Sequence, residues 1–272
     1  MKSRHSVPPQ GFFQSHTLRV RGARWQVLDT APGPERPPLP VLLLLPGTLG
    51  SAEIFHRLMQ ALADRIRCVG LTYPALPEVP RLARGALGIL DGLGIQTAHV
   101  LGSSLGGVVA QHLAWDAPER VRTLFLGNTL VDPPVHWAPR QHSLQQVLAT
   151  PAGELRRQRV EGVARHPAGD EGVRQALDFM RRQGELVLSA RHLKARILAL
   201  LKAQDIPPPA LPPERIVILE CADDPVMPPA VRAAVRARFP QSRVHTLPSG
   251  GHFPYLSRPG EYIAILEAHL LP

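Results

Sequence analysis

Val100-Leu101-Gly102-Ser103-Ser104-Leu105-Gly106-Gly107-Val108-Val109 passes from an apolar, strand-like run (98–101) straight into a helix-compatible segment. A serine at the centre of so sharp a strand-to-helix turn is held in a strained backbone conformation, with its hydroxyl projecting outward. The residues two before and two after it must be nearly free of side chain, because the two backbones converge there. Gly102 and Gly106 meet that demand around Ser104. Centring the turn on Ser103 puts Leu101 and Leu105 at those places and fails. Ser104 is therefore a candidate nucleophile, and its plain rival is a Gly-rich turn holding an incidental serine.

Outward from this turn, strand-like and helix-like segments alternate, which argues for a mostly parallel sheet covered by helices. Segments 17–21 and 24–30 read as an opening hairpin about Gly22, and the Pro-rich stretch 32–40 as a surface connection. Val41 to Leu45 is apolar at every position, as in a strand buried on both faces. A helix is expected over 51–63 with Ser51 as its N-cap. A strand over 66–73, a helix over 80–93 closed by Gly94, a helix over 105–116 ended by Pro118 and a strand over 121–126 follow.

The pattern then changes. Between 129 and 213 no convincing strand appears, while 172–187 and 190–203 have helical periodicity. The run Pro207-Pro208-Pro209-Ala210-Leu211-Pro212-Pro213 reads as a stiff exposed linker. Alternation resumes with strand 216–221, helix 229–239, strand 243–247 and helix 261–271. The division expected is an α/β core of 15–128 and 214–272 with a helical cap inserted at 129–213. The insertion begins at the sheet edge that carries the nucleophile, so its apolar faces are expected to roof the Ser104 pocket. Trp137, Phe179 and Met180 read as cap core before substrate contacts.

With 272 residues, 44% of them hydrophobic, the chain suits one large domain or a domain with an insertion. A net charge of +9 raises the question of nucleic acid. The basic residues are scattered, however, and nearly all are arginine, which fits codon bias better than a binding face. No nucleic-acid motif or interleaved basic-aromatic face is present. Residues 1–14 lack an apolar core of the secretory type, and no apolar run approaches a membrane span. Cys68 and Cys221 fall in distant strand-like runs and read as buried free thiols, as in a reducing cytoplasm. Neither metal-ligand spacing nor a dinucleotide fingerprint appears, so no metal or cofactor is expected.

A serine nucleophile needs a base, and the base needs an orienting carboxylate. The strand 216–221 runs into Asp223-Asp224, at the sheet edge where ligands bind in open α/β folds. The small-residue loop Pro248-Ser249-Gly250-Gly251-His252 then carries His252 before the last helix. Either aspartate qualifies as the acid. The other histidines lack such a location, and His112 and His269 fall inside helices.

The order Ser, Asp, His resembles that of the α/β-hydrolases rather than the chymotrypsin-like or subtilisin-like orders. Leu45-Pro46-Gly47-Thr48 resembles the family's oxyanion turn, with Pro-Gly where His-Gly is commoner. Asp224-Pro225-Val226-Met227-Pro228 resembles its acid turn and favours Asp224, and Gly251-His252-Phe253-Pro254 resembles its histidine loop. The likeness implies an α/β-hydrolase fold, a Ser104–Asp224–His252 triad, and an oxyanion hole from the backbone amides of Thr48 and Leu105. It implies esterase-like cleavage of a small-molecule acyl substrate. A serine at the elbow, where the dehalogenase and epoxide-hydrolase branches use aspartate, points away from those reactions. Arg24-Trp25-Gln26-Val27, Gly127-Asn128-Thr129, 176–180 and 250–256 further resemble maspardin-like proteins. Some members of that branch have an altered histidine position. That implies an alternative, a non-catalytic interaction protein with a protein partner, although this chain keeps His252.

Overall fold

The computed structural model describes residues 13–31, 38–136, 143–167 and 169–271. Most of the Pro-rich connection, and Trp137, lie outside these residues.

Eight strands form one sheet: β1 (Gln14–Val20), β2 (Ala23–Asp29), β3 (Val41–Leu45), β4 (Arg67–Thr72), β5 (Ala98–Ser103), β6 (Val121–Gly127), β7 (Ile216–Cys221) and β8 (Arg243–Leu247). Their spatial order is β1-β2-β4-β3-β5-β6-β7-β8. The pairs β1–β2 and β2–β4 are antiparallel, and every later pairing is parallel. Parallel strands leave their carboxyl ends on one edge, so the loops after β3, β5, β6, β7 and β8 converge there. Those loops carry Thr48, Ser104, Asn128, Asp224 and His252.

The strand interiors explain the sheet's position. Leu42, Leu43, Leu44 and Leu45 of β3 are fully buried, as expected of a strand covered by helices on both faces. Helix α3 (Leu105–Asp116) is buried at every position from Leu105 to Ala114, and a helix apolar all round belongs inside. It packs against β5, β6 and α2 (Val79–Gly92). The remaining helices are α1 (His56–Leu62), α4 (Pro133–His136), α5 (Leu144–Ala149), α6 (Ala152–Ala164), α7 (Glu171–Arg182), α8 (Ala190–Leu201), α9 (Pro229–Arg238), α10 (Pro254–Ser257) and α11 (Pro259–Leu270). Helices α4 to α8 all lie between β6 and β7, and no strand is described there.

Three segments depart from the expected helices. The helix expected over 51–63 opens instead with a 3-10 turn, Ala52–Phe55. Ser51 Oγ does accept from Glu53 N at 3.2 Å, but Thr72 Oγ1 binds the Ala52 amide at 2.8 Å and ties the turn to the sheet. Expected helix 172–187 ends at Arg182 and widens into a π-helical turn, Gln183–Val187. There the Gln183 carboxamide is drawn onto Ser51 Oγ (2.9 Å) and Glu53 (3.0 Å). The last helix starts at Pro259, earlier than expected, after the short α10. Among the described residues no helix is long and apolar enough to cross a membrane.

Candidate active site

Ser104 sits at φ 56° and ψ −121°, the strained conformation its sequence context requires. Its amide donates to Gly127 O (3.0 Å), and its carbonyl accepts from Gly107 N (2.9 Å), Val108 N (3.3 Å) and Thr129 Oγ1 (2.7 Å). The glycine requirement is steric. A Cβ at residue 102 would stand 2.1 Å from Gly106 O, and one at residue 106 would stand 1.9 Å from Leu45 O. No side chain fits either gap.

The two aspartates after β7 divide the work. Asp224 Oδ2 accepts from His252 Nδ1 (2.8 Å) and Asn128 Nδ2 (2.7 Å), and its Oδ1 from the amides of Val226 (2.8 Å) and Met227 (3.1 Å). Burial pushes its carboxyl group up, but the His252 charge and the bonds from His252, Asn128 and Val226 outweigh burial and hold it below the usual carboxylate range. It is therefore an anion facing Nδ1. Asp223 instead receives the amides of Gly250 (3.1 Å) and Gly251 (2.9 Å), so it shapes the loop that presents His252. With Nδ1 donating to Asp224, the lone pair of the neutral imidazole is left on Nε2.

Ser104 and His252 line one cavity of about 380 Å³. Both residues are described, and no hydrogen bond joins their side chains; catalytic contacts of this kind are often open without substrate. Thr48 lines the same cavity, and Gly47 lies against the elbow. Leu105 is the first residue of α3, so its amide has no intrahelical acceptor. Helix α6 supplies much of the opposite wall through Gln158, Arg159, Gly162 and Val163, and Met180 comes from α7. Phe179 is not part of the wall; it stacks on His56, with ring centroids 5.1 Å apart. His166 lines this cavity and a smaller adjoining one of about 200 Å³, as does His252. Burial and the nearby His252 charge lower the His166 pKa, with Asp224 opposing them.

The sequence matches the alpha/beta hydrolase family over residues 42–265. The chain belongs to this family. It is 27% identical to maspardin of Danio rerio over 253 residues, spanning 90% of this chain and 78% of that protein. It is 28% identical to the pimeloyl-[acyl-carrier protein] methyl ester esterase of Aeromonas hydrophila, over 84% of this chain and 94% of that one. Among solved structures it resembles the enol-lactonase of Burkholderia xenovorans, with a TM-score of 0.74 at 19% identity, covering 94% and 99% of the two chains. The α/β-hydrolase fold expected from the serine turn and the strand order is the fold observed. The likeness to maspardin-like proteins recurs in these relatives.

Sequence reasoning missed two residues that organise the site. Asn128, at φ 39°, binds both Asp224 and Gly251 O (3.2 Å). A polar residue just after a central strand was visible as part of a motif, but its partners lie about a hundred residues away. Arg196 on α8 is fully buried and gave no signal within a helix that also carries Arg191 and Lys194. It donates to the carbonyls of Thr48 (3.2 Å), Gly50 and Tyr73 (3.4 Å), and lies 5.3 Å from the Tyr73 ring centroid. Burial draws its pKa down to about 10. It braces the loop after β3 from above.

Proposed function

We propose that this chain is a serine hydrolase that cleaves an ester or related acyl compound. Ser104 Oγ attacks the carbonyl carbon while His252 Nε2 takes its proton and then passes it to the leaving alkoxide. The alcohol departs, and water cleaves the acyl–Ser104 ester through the same histidine. Asp224 keeps the other imidazole proton on Nδ1 and stabilises the imidazolium. The Thr48 and Leu105 amides receive the oxyanion, each contributing about 3 kcal/mol. The observation that carries this proposal is the 2.8 Å Asp224–His252 pair, presented to the cavity that holds the strained Ser104.

Residues 129–213 act as a cap that sets substrate size, a role supported by the α6 and α7 side chains in the cavity wall. Neither nucleic acid nor a cofactor takes part. Cys68 and Cys221, both free and buried, support a reducing, cytoplasmic location. A second reading, a non-catalytic interaction protein, is favoured by the maspardin likeness across 90% of the chain. Turnover separates the two. Short acyl esters of a chromogenic phenol should be hydrolysed, with Ser104→Ala and His252→Ala each lowering kcat by about three orders of magnitude. Wild-type turnover no faster than these variants, across several acyl lengths, favours the interaction protein.

A further inference from the structure

The smaller cavity, of about 200 Å³, shares His166, His252 and Phe253 as walls with the one over Ser104. Among the described residues His252 lines it, but Ser104 and Thr48 do not. The rest of its side-chain wall is mostly apolar: Pro167, Val173, Ala176, Leu177 and Pro225. Its one carboxylate among the described residues, Asp223, is already held by the amides of Gly250 and Gly251. Helix α7 runs across both cavities. Val173, Ala176 and Met180 fall on one helix face at i, i+3 and i+7, and all three are buried. Val173 and Ala176 line the smaller cavity and Met180 the larger, so the step along α7 from one chamber to the other is about 6 Å.

We propose that the smaller cavity takes the alcohol part of the ester, a short aliphatic chain, while the acyl part lies in the larger one. This rests on the hydrolase proposal and adds the substrate class. The chemistry separates the two halves. The carbonyl carbon must meet Ser104 Oγ, and Ser104 and Thr48 line the larger cavity. When the acyl–oxygen bond breaks, its electron pair stays on the leaving oxygen, which takes the proton from His252 Nε2. The leaving oxygen therefore lies beside His252, and the chain it carries has the second His252-walled chamber next to it. Apolar walls suit an alkyl chain and give water few partners. At about 30 Å³ for each water-sized group, 200 Å³ holds roughly a butyl chain with its oxygen and some clearance.

The test measures kcat/KM by pH-stat for the butyrate esters of methanol, ethanol, 1-butanol and 1-hexanol. Wild type should gain about three- to fourfold for each methylene from methyl to butyl, the transfer value of a buried CH₂, and no more at hexyl. Ala176→Leu fills the chamber and should cut the butyl-to-methyl ratio by about tenfold, while Leu177→Ala widens it and should raise hexyl over butyl. Methyl esters of acetate, butyrate and hexanoate form the control series, in which Ala176→Leu should change the ratios by less than about twofold. A wild-type butyl-to-methyl ratio near one overturns the proposal. So does a folded Ala176→Leu protein that leaves that ratio unchanged, or that shifts the acyl series instead. If Ala176→Leu does not fold, the hexyl-to-butyl ratio of Leu177→Ala decides. If no ester is cleaved, the hydrolase proposal fails and binding decides this one. In that case the methyl signals of Val173 and Leu177 in nuclear magnetic resonance spectra of Ser104→Ala protein should shift with 1-butanol but not with methanol. Shifts that are absent, or equal for the two alcohols, overturn the alcohol site as well.

Discussion

Replacing Asp224 with asparagine changes one oxygen into an NH₂ group, and the surrounding bonds dictate the consequence. The carboxylate accepts on both sides: Val226 and Met227 amides at Oδ1, His252 Nδ1 and Asn128 Nδ2 at Oδ2. Backbone amides only donate, so the asparagine oxygen must face Val226 and Met227, leaving its NH₂ toward His252. Asn128 can answer by turning its amide over, at the loss of its bond to Gly251 O. His252 can answer only by accepting at Nδ1, which moves its proton to Nε2 and removes the lone pair that Ser104 needs. A wrong tautomer of this kind costs about 10⁴ in kcat in the serine-protease case, or roughly 5 kcal/mol of barrier. The lost charge-assisted bonds also cost about 2–3 kcal/mol of stability. Hydrolysis of 4-nitrophenyl butyrate should therefore fall about 10⁴-fold for Asp224→Asn while the melting curve stays cooperative. Folded Asp224→Asn protein working within about tenfold of wild type would refute the assignment of Asp224 as the orienting acid.

Arg196→Met should lower kcat by about ten- to a hundredfold with less change in KM, because it releases the loop that presents the Thr48 amide. Steady-state kinetics read beside thermal melts check it, and an unchanged kcat contradicts the bracing role. Met180→Ala enlarges the cavity wall, so longer acyl chains should gain over short ones by about tenfold. Phe179→Ala, away from the cavity against His56, should leave the ratio alone; equal effects from both would remove α7 from chain-length selection. Stability should fall in acid through His99 on β5, whose pKa burial draws down to about 4, with Arg122 and Arg215 adding to the effect. The folded value lies below the ordinary 6.5, so the unfolded chain binds the extra proton as pH drops from 6.5 toward 4. The loss over that window is on the order of 2–3 kcal/mol. Urea melts between pH 7 and 4.5 should show a shallower decline for His99→Gln, and parallel slopes would contradict this.

Much of this arrangement was legible in the sequence because it is local. The all-apolar Val41–Leu45 announced a doubly covered strand, and the glycines flanking Ser104 announced the elbow. Helix α3 and strands β7 and β8 have the bounds their patterns predicted. Helix ends set by distant partners were not legible. The turn after Ser51 is tightened by Thr72 on β4, and the π-helical turn forms where Gln183 meets Ser51 and Glu53. The same limit applies to the site. Asp223 and Asp224 are adjacent and chemically alike, and only the fold assigns one to glycine amides and the other to His252. Phe179 and Met180 are neighbours in the sequence, yet the roughly 100° of helical rotation between them turns Met180 to the cavity and Phe179 to His56. Arg159 and Arg196 look like ordinary helix arginines until the sheet brings the elbow and the loop after β3 beneath them.

The central claim is that Ser104 is a nucleophile activated by His252. Treating the folded protein with a fluorophosphonate and mapping the adduct by mass spectrometry tests it most directly. The predicted result is one covalent adduct on Ser104, absent from Ser104→Ala and formed far more slowly in His252→Ala. Folded wild-type protein that takes up no label, or takes it up at the same rate without His252, would contradict the claim.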